Sequence, residues 1–179
     1  MRIAFVSANR EQLPDPVVPL GVLYMMSAAG EEHEKTLIDL CFEHEPLEHL
    51  GRRLDDFRPD LVAIGMRNIQ NADYTATLPT LEYYTSVVRR VREHTAAPIV
   101  MGGGGFSIVP QELMRAYGLD YGIVGEGELP FAQLVARLAS GTRDVSGIPN
   151  VLIQGGAIGT VREAHVWCSR QGLVNGERP

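Results

Sequence analysis

The sequence predicts an α/β fold built on a parallel sheet. Two observations carry this: short apolar runs alternate with longer segments of helical period, and those runs are apolar throughout, as strands covered on both faces are. The first strand is "IAFVS", residues 3 to 7, followed by a helical stretch from about Leu20 to Gly30. Next come "KTLIDL" (35 to 40), a helix near 46 to 56, "LVAIG" (61 to 65) and a long helical pattern from about Leu78 to His94. The series closes with "PIVMG" (98 to 102), a helix near 110 to 117, "YGIVG" (121 to 125) and a helix from Glu128 to about Ala139. Strand and helix in strict alternation imply a doubly covered, Rossmann-like sheet. Five strands suggest the flavodoxin-like order 2-1-3-4-5, with ligands at the carboxyl ends of the strands. Beyond Gly141 the period is lost. "IPNVLIQGGAIGTVRE" reads as a β-hairpin around Gly155-Gly156, and a tail containing Trp167 follows. The division expected is residues 1–145 as the folded domain and 146–179 as hairpin, linker and tail.

Composition narrows the classes. A chain of 179 residues with 45% apolar residues suits one domain with a real core. No apolar run approaches the roughly 20 residues of a membrane span, and "MRIAFVSANR" is too short in its apolar part for a signal peptide. The cytoplasm is the expected compartment. Cys41 and Cys168 stand far apart without metal-type spacing. The net charge of −6 argues against a nucleic-acid partner, and the single Lys35 among fifteen arginines reads as base composition.

Function must then be sought at the strand ends. The first strand is followed by "ANREQLPDPVVPLG", with Pro14, Pro16 and Pro19, where about two to six residues are usual. The third is followed by a long stretch carrying Arg67, Asn68, Gln70, Asn71 and Asp73. The fourth runs into four consecutive glycines, Gly102 to Gly105, and the fifth into "VGEGELP" with Gly125 and Gly127. Glycine at the end of a strand weakens it and often marks a close approach to the backbone. Tight helix packing would account for one such glycine, hardly for six, so a flat, backbone-walled floor for a ligand is expected. Glu126 and Glu128 lie at a helix start, where the free N–H groups favour carboxylates.

Several familiar ligands are excluded by their own requirements. No G-x-x-x-x-G-K-[ST] exists, and both "GEGELP" and "GGGGFS" lack the third glycine of a dinucleotide fingerprint. A phosphorylation receiver is excluded by Gly65-Met66-Arg67 and Gly125-Glu126, where it would need an acid and a lysine. Ser7 and Ser107 lie near strand ends without a G-x-S-x-G elbow. The five histidines (33, 44, 49, 94, 165) fall in segments read as helical or tail and are expected on the surface.

Four stretches in order, "VVPLGVLYMMSAAGEEHEKTLIDL", "RPDLVAIGMRNIQN", "APIVMGGGGFSIVPQELM" and "LDYGIVGEGELPFAQL", resemble the N-terminal cobalamin-binding domain of the B12-dependent radical SAM enzymes, over roughly residues 2 to 153. The resemblance implies a cobalamin site lined by Pro19, Leu20 and Gly21, by Gly65, Met66, Arg67 and Asn68, by Gly102, Gly103, Gly104, Gly105 and Phe106, and by Gly125, Glu126, Gly127 and Glu128. No residue is assigned as catalyst or metal ligand. The D-x-H-x-x-G motif of methionine-synthase-like modules is absent. The expectation is therefore base-off cobalamin without a protein histidine on cobalt, which eases transfer of an upper methyl group, and with Arg67, Met66 or Asn68 facing the lower side of the ring. Also absent is the C-x-x-x-C-x-x-C of the family's catalytic half, which holds a 4Fe–4S cluster and cleaves S-adenosylmethionine. The resemblance thus implies a cofactor module serving a catalytic domain in cis or in trans, the chain being a truncated part or a free-standing corrinoid carrier. A flavodoxin-like regulatory domain without cofactor, and an enzyme acting on a nucleotide-type molecule, are the rival readings.

Overall fold

In the computed structural model, residues 1–69 and 80–154 are described. Six strands, β1 (Arg2–Ser7), β2 (Glu34–Asp39), β3 (Leu61–Gly65), β4 (Ile99–Gly102), β5 (Tyr121–Ile123) and β6 (Val151–Ile153), form one sheet in the order β2-β1-β3-β4-β5-β6. The first five are parallel, as the alternation of strand and helix requires, and their order is the expected 2-1-3-4-5. The place of the sixth strand in the main sheet was not expected. Its residues belong to the stretch read as the first arm of a local hairpin, but Val151 to Ile153 pair antiparallel with β5. An open edge of unpaired N–H and C=O groups recruits a passing apolar segment more readily than a short two-stranded ribbon stands alone. The rest of that hairpin, the tail with Trp167, and the loop residues Gln70, Asn71 and Asp73 lie outside the described residues.

Helices α1 (Leu20–Ala28), α2 (Pro46–Phe57), α3 (Thr80–His94), α4 (Pro110–Tyr117) and α5 (Glu128–Ala139) cover both faces. Pro46 and Pro110 open their helices, where a missing N–H costs nothing, and α4 ends on Gly118 in the left-handed conformation. On one face α2, α3 and α4 bury Leu50 and Leu54, then Tyr84, Val87, Val88 and Val91, then Leu113 and Met114. These spacings of three and four mark an amphipathic helix. On the other face α5 buries Phe131, Leu134 and Val135.

Helix α1, "LGVLYMMSA", departs from this pattern. It is apolar almost all round, yet none of its residues is buried. Val22 and Met25 pack only partly against the core of that face. The helix touches the sheet where Val22 packs over Gly65 and leaves a gap beside that contact.

Charge pairs pin the lower end, where the strands begin. Arg2 donates to Glu34 at 3.0 Å and its backbone N–H to Asp60 at 2.7 Å. Asp120 accepts from Arg92 at 2.6 Å and from the Ile99 backbone at 2.8 Å.

Candidate functional site

The gap beneath α1 is a cleft of about 490 Å³ at the upper end of the sheet. Its floor is Phe5, Ala63 and Val100 from three strands, and its roof is Val22 and Met25 of α1 with Phe131 of α5. Glycines admit this roof. A Cβ on Gly65 would meet Val22 Cγ2 at 2.6 Å, and one on Gly127 would meet Met25 Sδ at 2.9 Å. The slot is therefore deep and apolar, and it opens upward onto a rim made of the strand ends.

Most of the residues expected from sequence meet at this rim. Pro19, Leu20 and Gly21 arrive from the loop into α1, Gly65, Met66 and Arg67 from the end of β3, Gly102, Gly103 and Gly104 from β4, and Gly125, Glu126, Gly127 and Glu128 from β5. Asn68, Gly105 and Phe106 do not line the cleft. Phe106 is fully buried in the opposite core layer, with its ring over Gly122. Met66 borders the cleft, but its side chain is wholly buried in that same layer. Of the three side chains expected under the ring, Arg67 alone combines a place on the rim with exposure, at 45%.

The glycine row has a cause the sequence reading did not contain. What comes closest to it is the chain's own backbone. A Cβ on Gly103 would lie 2.6 Å from the Met66 carbonyl oxygen, and one on Gly105 2.7 Å from the Asn68 carbonyl carbon. Gly103 also has φ of +107°, which side chains resist. The Gly105 N–H donates to Met66 O at 3.0 Å, so the loops after β3 and β4 are laced together. The argument that six glycines need a ligand therefore fails for Gly103 and Gly105. Gly103, Gly104 and Gly125 nonetheless remain exposed on the rim.

Two polar devices hold the rim. Ser107 Oγ donates to Gly103 O at 2.9 Å and accepts from the Gly125 N–H at 3.0 Å, bridging the β4 and β5 loops. Glu11, in the long loop after β1, lies 3.5 Å from Arg67 and accepts from Asn68 at 2.9 Å. The Arg67 partner is thus a carboxylate only 9% exposed, not a surface one.

No described histidine lines the cleft, and His165 lies outside the described residues. His49 and His94 face Glu43 and Asp55 on helices. His33, expected on the surface in a helical segment, instead sits in a turn before β2 with its side chain 7% exposed. The Cys41 thiol is pushed up by burial, with Asp39 adding to the effect, so it is held protonated. Among the described residues no group of His, Cys, Asp and Glu could hold a metal ion.

Phe5, Val22, Met25 and Phe131, which make the slot, were missed by sequence reasoning. The available signal was α1 itself, a helix too uniformly apolar for a surface position.

The family model for the B12 binding domain matches residues 7–135. This chain belongs to the B12-binding domain family. It is 32% identical over 162 residues to the tryptophan 2-C-methyltransferase of Streptomyces laurentii, covering 87% of this chain and 26% of that protein. It is also 32% identical over 134 residues to an uncharacterized methyltransferase of Pyrococcus horikoshii, covering 73% and 26%. Among solved structures, the radical S-adenosylmethionine methyltransferase TsrM from Kitasatospora setae, with cobalamin and a 4Fe–4S cluster bound, matches with a TM-score of 0.75 and 27% identity over 85% of this chain and 27% of that one. The cobalamin-dependent S-adenosylmethionine radical enzyme OxsB, with aqua-cobalamin and S-adenosylmethionine bound, shares the fold, with a TM-score of 0.65 and 17% identity over 84% and 20%. The chain spans about a quarter of the length of the curated relatives it matches.

The B12-binding domain assignment can be tested on the cleft itself. A corrinoid has a broad ring edged with amides and a tail ending in a flat aromatic base. The rim offers exposed backbone at Gly103, Gly104 and Gly125, and the slot offers apolar walls, so the residues fit such a group.

Proposed function

We propose that this chain binds cobalamin over the upper ends of β1, β3, β4 and β5, with its own base displaced into the slot and no protein histidine on cobalt. The observation that carries this is the apolar slot between the sheet and α1/α5, opening onto a rim of glycine backbone. When bound, cobalamin supplies a cobalt centre that carries a transferable methyl group. The protein's part is positional. Phe5, Val22, Met25 and Phe131 exclude water from the slot, Gly103, Gly104 and Gly125 let the ring lie on backbone, and Arg67 places a cation at the mouth. A guanidinium has five donors and no lone pair to give, so it orders the lower side of a ring without ligating the metal.

In this reading the chain is the cofactor module of a radical SAM methyltransferase, in the cytoplasm. Residues 1–145 hold the cofactor, and the linking segment begins at 146, with Val151 to Ile153 in it paired to β5 as β6. S-adenosylmethionine and the 4Fe–4S cluster belong to a catalytic domain in cis or in trans. Neither nucleic acid nor a membrane is a partner; no helix among the described residues is long and apolar enough to cross a membrane. The lacing of the glycine row against residues 66–68 supports a second reading, a flavodoxin-like domain without cofactor.

Incubation with hydroxocobalamin, gel filtration and a visible spectrum of the protein peak separate the two. Stoichiometric cobalt with a base-off spectrum is the expected result. A colourless peak leaves the second reading in place.

A further inference from the structure

We propose that Glu11 is a positioning residue: it holds the Arg67 guanidinium at the mouth of the cleft and supplies the counter-charge that governs how strongly that cation acts on a cofactor. The second half rests on the cobalamin reading; the first stands on the contacts alone.

The two partners are unequally exposed. Glu11 is 9% exposed and Arg67 45%, so the carboxylate lies behind the cation and the cation faces out. The same oxygen, Oε2, lies 3.5 Å from Arg67 Nη1 and accepts from Asn68 Nδ2 at 2.9 Å. Glu11 is itself held. Its N–H meets Asn9 Oδ1 at 3.4 Å, and its carbonyl accepts from the Cys41 thiol at 3.8 Å. The neighbouring Gln12 donates to Cys41 O at 2.7 Å. The loop after β1 is thus tied to the ends of β2 and β3 together.

The backbone beneath Arg67 is fixed as well, because residues 66 and 68 press on Gly103 and Gly105. What is left to decide is where the side chain points, and Glu11 decides it. An arginine at this spot acts only through charge and N–H groups. Its influence on a bound cofactor therefore depends on whether its charge is paired. A nearly buried carboxylate pairs it far more effectively than an exposed one.

The test uses the full chain with Glu11→Gln, Arg67→Gln and the double variant. In the unloaded chain, the NMR signals of the Arg67 Nη groups are expected to be resolved and slowly exchanging, and to collapse to the solvent-averaged position in Glu11→Gln. An unchanged signal overturns the proposal. After hydroxocobalamin loading, Glu11→Gln is expected to shift the Co(II)/Co(I) midpoint, and the shift is expected to vanish when Arg67→Gln is already present. A shift that persists there shows Glu11 acting independently of Arg67 and also overturns it. Should Glu11→Gln fail to fold, Glu11→Asp keeps the charge and shortens the reach; it is expected to move the Nη signals part-way, and no movement counts against the proposal. A colourless wild type sinks the cobalamin reading while the NMR arm still decides the role of Glu11.

Discussion

At the lower end of the sheet Arg92 donates to Asp120 at 2.6 Å and also to the carbonyls of Ala97 and Gly118, and Asp120 takes the Ile99 N–H besides. At the upper end Arg67 meets Glu11 at 3.5 Å, and its carboxylate is the more buried partner. Both ends use an arginine and a carboxylate. Below, the two groups consume each other and tie three segments shut. Above, the carboxylate sits behind and the cation looks out over a cleft. The same contrast holds for glycine. Gly118 below has φ of +60° and open space around its Cβ position, whereas Gly103 above has φ of +107° and the Met66 carbonyl in the way. A lower-end glycine only turns the chain, but the upper-end glycines bring two loops together under a rim.

The sharpest way to break this contrast is to add a methyl group at each end. Gly103→Ala is expected to cost roughly 3 kcal/mol or more, since it combines a left-handed backbone with a backbone clash, while Gly118→Ala is expected to cost about 1 kcal/mol for the conformation alone. Urea unfolding of both measures the difference. A stable Gly103→Ala chain that merely loses cobalamin uptake would return the glycine row to the ligand.

Next in size is Asp120→Ala, which strands the Ile99 N–H and takes the charge partner from Arg92 at a cost of about 1–3 kcal/mol. Cobalamin uptake at the other end should be unchanged in the same preparation. Ser107→Ala reverses that balance. It removes one bridge between the β4 and β5 loops, worth about 1 kcal/mol, and is expected to weaken uptake several-fold, as equilibrium titration would show.

The smallest effect is invisible at neutral pH. Burial pushes the Tyr83 phenol up to about 12, with Arg10 pulling the other way. Tyrosines of the unfolded chain ionise near 10. The unfolded state therefore loses protons first, and this part of the stability is complete below about pH 10 and drains away as pH rises toward about 12. The tyrosinate absorbance that Tyr83→Phe removes should rise in step with loss of circular dichroism; its appearing well before unfolding would break the burial argument.

Much of the fold was legible because each strand and helix carries a local period. The starts of α2, α4 and α5 fall where Pro46, Pro110 and Glu128 place them. The pairing of the edge strand with the main sheet was not legible because Val151 to Ile153 look the same whether they pair with a neighbour in sequence or with β5, about thirty residues back. At the site, most expected rim residues do meet, since strand ends in a parallel sheet are neighbours by construction. Phe106 and Asn68 are the instructive misses. Adjacency in sequence to a rim residue says nothing of direction, and the turn at Phe106–Ile108 sends that ring into the core.

By itself, then, the sequence determined the alternation of elements, the sheet order and the end at which the cleft opens, because hydrophobic period and crossover geometry act over a few residues at a time. Only the tertiary structure decided that Gly103 and Gly105 serve the chain's own backbone, that α1 leaves a slot over the sheet, and that Arg67 and Asn68 answer to Glu11. Those are contacts between loops as much as 57 residues apart, and no local pattern encodes which loop will lie against which.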